Sequence, residues 1–457
     1  MVIAHYNGSI APANLKDSFD YTYRADNKRI GLTESIKTTT NVNNTYVWSY
    51  DEAGRLLSEA LTSSTTSLTQ TESYEYDLVG NRLKKTIDKP STAYVDQVFA
   101  YGFDTNDRMT SETLDNGSNG VGVDQTTTFT WNATQQATKT QVIVGTSTVT
   151  QSVTYNLQGQ ASSVVLETKN GSNVVTGRTR VDYQYRPECL RTVSIDWNDA
   201  NLDGTFAAGE KTGTTEYLVE PNNFTGYGQT LVETTKNYSG VITKQIRYTF
   251  GGDEITQTTV TYTGGVATGS TTRTFGHDGR GSVRVLYEAA AAIVQAFVFS
   301  AYGELLSVHN GAGNLQSLTT ALTSILYNGE QIDTATGNYN FRARWYNPQT
   351  GRFEKLDPFA GNASDPFSFH KYGMAHGDTV NGQDPTGMFL GGIAGMMSSM
   401  MTVMKTQGMN VARSYVGKQA ALTGIETGAE VLVGLMLQVA FGVKFDLDEG
   451  IGAFSGQ

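Results

Sequence analysis

Two Asp-Pro steps, Asp357-Pro358 and Asp384-Pro385, stand in the stretch Gly337–Gly387, just before the chain changes composition abruptly. Paired carboxylates at such a boundary suggest a chain that cuts itself. Two acids held close cannot both ionise cheaply, so they share a proton, one acting as base on water and the other as acid toward the scissile amide. Proline after each aspartate restricts the local backbone and stiffens the placement of the carboxylate. The competing reading is structural, because Asp-Pro and Asp-Pro-x-Gly sequences are also common turn formers.

A second set of oxygen-bearing residues has metal-ligand spacing. Residues 199–210, DANLDGTFAAGE, fit the loop pattern D-x-[DN]-x-[DN]-G-x5-E at every specified position. Side chains of Asp199, Asn201 and Asp203, the Thr205 carbonyl and a bidentate Glu210 would supply oxygens to Ca²⁺, with Gly204 making the sharp bend. The flanks, Ile195-Asp196-Trp197 and residues 212–217, read as strands rather than helices. This predicts a loop-only calcium site between β elements, against the alternative of an acidic Asn/Asp turn.

The elements that must hold these residues are strands. Threonine and tyrosine abound before Gly387, in short alternating runs such as Thr127–Trp131 and Ser152–Tyr155, punctuated by Asn, Asp and Gly. Net charge is −11, which argues against nucleic acid or an anionic membrane as partner, since no basic excess exists to neutralise phosphates. Cys189 is the single cysteine, so no intrachain disulfide or thiolate cluster can form. The first residues show no basic region followed by an apolar one, so this sequence carries no recognisable signal peptide; it could be a fragment of a longer secreted or cell-surface chain.

An internal repeat appears when the aromatics are aligned. Tyr50-Asp51-Glu52-Ala53-Gly54-Arg55-Leu56 is echoed by residues 76–83, YDLVGNRL, and by Phe103-Asp104-Thr105-Asn106-Asp107-Arg108-Met109. Weaker copies start at Tyr23, Trp131, Tyr155 and Tyr185, giving steps of 27, 26, 27, 28, 24 and 30 residues. In each unit Tyr-Asp ends a strand, Gly or Asn turns the chain, and Arg-Leu begins the return. One hairpin cannot bury its apolar face alone, so the units must pair edge to edge into a continuous sheet.

These units resemble the YD repeats of the RHS/YD-repeat family. Phe275–Arg284 is similar to that family's H-D-x-x-G-S-x-R signature, and residues 299–304, FSAYGE, to its D-x-x-G-E type turn. Tyr327–Asp333 through Arg352-Phe353 resembles its Y-x-G-x-x-x-D…R-A-R-Y-Y-x-P-x-x-G-R-F run, with Asn347 where Asp is usual and Asp378-Thr379 where Asn-Pro is usual. The resemblance implies a mainly β fold in three parts. Residues 1–274 would be a shell of hairpins in a spiralling antiparallel sheet and 275–387 an RHS repeat-associated core plugging it; the third part, 388–457, reads as a short helical tail from its Met, Leu and Ala content.

It also implies a site. Asp357 and Asp384 match the family's aspartyl-type positions, with Arg344 as basic partner, and cleavage would follow the Asp384-Pro385-Thr386-Gly387-Met388 motif, near Met388-Phe389. The partner would then be the protein's own C-terminal segment, enclosed by or packed on the shell and released by cutting. In the family that segment is a variable payload, often a toxin. Eight of the eleven methionines lie from Met388 onward, in a tail with two uncharged runs of 17 and 13 residues. Neither reaches the roughly 18 to 20 residues that a membrane span needs. A shell-lining helical tail, a membrane-contacting piece and a truncated payload all remain open. So does a second function class: a non-enzymatic surface or adhesion module, with a cell-surface or protein partner and an uncleaved core.

Overall fold

The computed structural model describes residues 1–6, 14–90, 95–117, 122–221, 227–251, 254–363 and 365–388, all within one compact unit, Met1–Ile393. Phe389 and the tail beyond it lie outside the described residues.

The fold is mainly β, as expected. One 24-stranded antiparallel sheet runs from Val2–Tyr6 to Leu315–Gln316, each strand bonded to its neighbours in sequence, and the sheet is not closed. A four-stranded sheet follows, made of Gln331–Ile332, Tyr339–Phe341, Arg344–Asn347 and Arg352–Phe353. Residues 275–316 continue the large sheet, so the segment standing apart from it begins only at residue 317.

Strand burial follows the period of two that a half-buried strand requires. Val42–Tyr50 buries Val42, Asn44, Tyr46 and Trp48 and exposes the residues between them. All seven aromatic repeat positions, Tyr23, Tyr50, Tyr76, Phe103, Trp131, Tyr155 and Tyr185, are the last residue of a strand. At every one the pairing register slips by a residue, so the aromatic sits at a bulge that increases the local twist.

The turn chemistry is that of the repeat. Asp51 accepts the Arg55 amide at 2.8 Å and pairs with its Nε at 2.6 Å, and Asp104 does the same for Arg108. Gly54 takes φ +88 at the bend, where a side chain would be strained. Repeats are also tied to each other: the Tyr76 hydroxyl donates to the Leu56 carbonyl at 2.7 Å, and the Arg55 guanidinium lies 4.7 Å from the Tyr76 ring centre.

The buried face is packed by the segment after residue 316. Tyr327, Tyr339, Phe341, Tyr346 and Phe353 join Ile246, Tyr248 and Phe297 in one cluster, and Trp345 packs with Val153, Val164, Val181 and Tyr183 in another. Charge is buried there too. Arg284, 1% exposed, donates from Nη2 to Glu34 at 2.7 Å, from Nη1 to Asp278 at 3.3 Å and from Nε to the Phe297 carbonyl at 3.0 Å. Glu59 accepts from Trp48 Nε1 at 2.7 Å and the Ala301 amide at 2.8 Å; burial first, then the nearby Glu72 carboxylate, raise its pKa from 4.5 to about 7.

Two outcomes follow. Arg284→Ala strands Glu34 and Asp278 as buried carboxylates and should lower unfolding free energy by about 3–5 kcal/mol in denaturant titration. Glu59 favours its protonated form in the folded state, so its contribution to stability is full below 4.5 and is lost as pH rises through about 7. Glu72→Gln removes the like charge, and the fall in Tm across that window should become shallower than in the wild type.

Candidate active site

Three segments bring the predicted acids together. Arg344 opens the strand Arg344–Asn347, the third of the small sheet. Asp357 follows the short strand Arg352–Phe353, and its amide donates to the Lys371 carbonyl at 2.9 Å. Asp384 begins a tight turn, in which the Gly387 amide returns to the Asp384 carbonyl at 3.2 Å.

The three side chains converge on one atom. Arg344 Nη2 lies 2.8 Å from Asp357 Oδ2 and 2.9 Å from Asp384 Oδ2. All three are buried, Arg344 at 1%, Asp357 at 2% and Asp384 at 0% exposure. The other two guanidinium nitrogens also donate, Nη1 to the Lys371 carbonyl at 3.2 Å and Nε to the Gly387 carbonyl. Its Cζ stacks 3.7 Å from the centre of the Phe353 ring.

Electrostatics separate the partners. Burial raises the Asp357 pKa from its ordinary 3.8, against the lowering pull of Arg344. Burial lowers that of Arg344, against the two carboxylates, and a guanidinium nonetheless keeps its proton. Asp384 accepts from Arg344 Nη2, the Met388 amide at 3.2 Å and the Thr386 hydroxyl at 3.4 Å. The peptide between Gly387 and Met388 is thereby held at both ends, its carbonyl by the arginine and its amide by the aspartate. Gly387 has φ +65, and a Cβ there would run into the Phe341 carbonyl, so only glycine lets the chain pass this close.

Sequence reading named these three residues but not the contacts to the Gly387 and Lys371 carbonyls. Backbone carbonyls leave no mark in side-chain identity. The departures from the family pattern are locally satisfied: the Asn347 side chain accepts the Gln349 amide at 3.0 Å, and Asp378 pairs with Lys28 at 2.7 Å and holds the Asn381 side chain. Met388, on the near side of the expected cut, is 45% exposed.

The calcium-type loop lies where expected, between the strands Arg191–Asn198 and Lys211–Glu220, with Gly204 at φ +88. Its donor set is hard oxygen, which suits Ca²⁺. Those oxygens are engaged by the protein itself. Asp199 accepts from Arg178 at 2.9 Å and the Gly204 amide at 3.0 Å, Asp203 from the Thr205 amide at 2.8 Å, and Glu210 from the Ala200 and Ala207 amides at 3.1 and 2.9 Å. Among the described residues no group of three or more His, Cys, Asp or Glu gathers around a common point.

No family model matches the chain. A curated relative, the salivary gland surface protein 1 of Aedes aegypti, is 28% identical over 160 residues, covering 33% of this chain and 4% of its own length. Among solved structures, the TcdB2-TccC3 chain superimposes with a TM-score of 0.52 at 18% identity, over 81% of this chain and 19% of that one. The Photorhabdus luminescens Tc holotoxin pore carrying the mutation TccC3-D651A matches with a TM-score of 0.51 at 18% identity, over 82% of this chain and 18% of that one. The chain thus spans less than a fifth of each of these two solved chains, and at this identity the likeness shows the fold alone.

Proposed function

We propose that the protein is an RHS/YD-repeat shell piece that releases its C-terminal segment by aspartyl-type self-cleavage near Met388-Phe389. The observation that carries this reading is the meeting of both acids on Arg344 Nη2 while Arg344 Nε holds the Gly387 carbonyl, one residue upstream of the bond to be cut. Asp384 takes a proton from water as the water oxygen bonds to the Met388 carbonyl carbon. Asp357, lifted in pKa by burial, gives its proton to the Phe389 nitrogen as the C–N bond breaks. The products are a Met388 carboxylate and a free Phe389 amine. Arg344 fixes the approaching strand and steadies the charge that develops.

Two of the solved neighbours are named as a Tc holotoxin pore and as TcdB2-TccC3, which supports a shell that packs a C-terminal segment and a secreted setting for the longer chain. A second reading has its own support: an arginine bridging two carboxylates is also a sound structural ion cluster, and the curated relative is named a surface protein. On that reading the chain is an uncleaved surface or adhesion module. Mass measurement separates the two. The wild type should yield a fragment of about seventy residues beginning at Phe389, absent from Asp357→Asn and Asp384→Asn, with at least a hundredfold loss of rate from removing either acid. An intact wild type sinks the protease reading.

We further propose Ca²⁺ for the 199–210 loop, where Asp199, Asn201, Asp203, the Thr205 carbonyl and Glu210 would hold it in place of the Arg178 contact to Asp199 and the amides now on Asp199, Asn201, Asp203 and Glu210. Calorimetric titration with Ca²⁺ should give saturable heat, and Arg178→Ala should tighten binding by removing the competing charge on Asp199. A flat titration of both proteins removes the claim.

A further inference from the structure

We infer that Arg342, with Glu330, is a positioning residue that sets the Asp384 carboxylate by gripping the turn that carries it; this rests on the self-cleavage reading of that turn. Arg342 occupies the two-residue bend between the strands Tyr339–Phe341 and Arg344–Asn347, at φ +59, a backbone conformation that L-residues with side chains avoid. Its amide donates to the Asn340 side chain at 2.9 Å, which holds the bend. From there the guanidinium leaves the small sheet and reaches three other segments. Nε donates to the Gly228 carbonyl at 2.8 Å, the guanidinium carbon lies 4.2 Å from the Tyr227 ring centre, and Nη1 meets both oxygens of Glu330 at 2.8 and 3.0 Å. The same Nη1 donates to the Pro385 carbonyl, immediately after Asp384.

The geometry divides the labour of two neighbouring arginines. Arg344 touches the acids and the Gly387 carbonyl; Arg342 touches neither acid but holds the backbone between Asp384 and Gly387. Proline gives the Asp384-Pro385 turn no amide of its own at this point, so its carbonyl is the handle left for a donor. The Ala343 amide adds a contact to the Thr386 carbonyl at 3.4 Å, so the bend grips two successive carbonyls of the turn. Glu330 is buried, and its Tyr327–Glu330 turn fixes it independently of the acid pair: the Glu330 amide returns to the Tyr327 carbonyl at 2.9 Å. Beside this grip lies a cleft of about 340 Å³ lined by Asp384, Pro385, Asn328, Gln383 and Glu330. Lysine cannot replace the arginine, because one ammonium lacks the planar fork that serves the Gly228 carbonyl, Glu330 and the Pro385 carbonyl together.

Two readouts test this. In an Asp357→Asn background, where the chain stays whole whichever functional reading holds, hydrogen exchange is followed at the Thr386, Gly387 and Met388 amides. Adding Arg342→Ala should speed exchange there by tenfold or more, Arg342→Lys by less, and Arg108→Ala, the same deletion in a repeat turn, not at all. Unchanged exchange in Arg342→Ala overturns the inference whether or not the protein cleaves. In the otherwise wild-type chain, at a temperature where the variants stay folded, Arg342→Ala should slow fragment release by at least tenfold and displace the pH–rate profile, with Lys between the two. Fast exchange together with undiminished cleavage and an unmoved profile also overturns it. Fast exchange in a protein whose wild type never cleaves leaves the grip standing and removes the protease reading alone.

Discussion

A guanidinium taken out of water must find acceptors, and this protein buries several. Arg284 meets Glu34 and Asp278, Arg191 meets Asp333 at 3.0 Å, Arg352 meets Asn81 at 2.9 Å, and Arg344 meets Asp357 and Asp384. Three of these six contacts join residues more than a hundred positions apart, and two of those three, Arg191–Asp333 and Arg352–Asn81, tie the repeat region to the segment after residue 316. A buried pair contributes little net stability over a well-packed apolar replacement, yet breaking it is costly. The pairs therefore act as an alignment device: an interior segment seated in any other register would leave charges without partners. Aromatic packing supplies the bulk of the burial, and the charges say where each ring must lie.

The site inherits its geometry from this arrangement. Asp357 and Asp384 come from a short strand's exit and a proline turn, neither of which is rigid in isolation. What holds them is Arg344, anchored on a sheet strand, stacked on Phe353 and filled on its other nitrogens by backbone carbonyls. The same positive charge that gathers the acids also stabilises their ionised forms, while burial pushes Asp357 the other way.

Much of the architecture could be read from the chain. Tyr50, Tyr76 and Phe103 marked strand ends because their Asp and Arg neighbours are local turn chemistry, visible at short sequence range. The copies at Tyr23, Trp131, Tyr155 and Tyr185, though degenerate, kept the aromatic that sits at each bulge. Less visible was where the large sheet stops. Residues 275–316 hold two of the motifs whose resemblance suggested a separate plug and yet pair as further strands, since motif identity does not say which neighbour a strand bonds to. The acids and Arg344 were readable because side chains announce them; Arg342, the Gly387 carbonyl and the engagement of Asp199 by Arg178 were not, because they arise from long-range contacts and backbone atoms.

The central claim is that the acids and Arg344 form a cutting centre at the chain's own 384–389 segment. A crystal structure of the purified wild-type chain beside Asp384→Asn tests it most directly. The account predicts a break after Met388 in the wild type, with Asp357 still on Arg344, and continuous density through Phe389 in the variant. Continuous density in both, with the three side chains arranged as here, would contradict it.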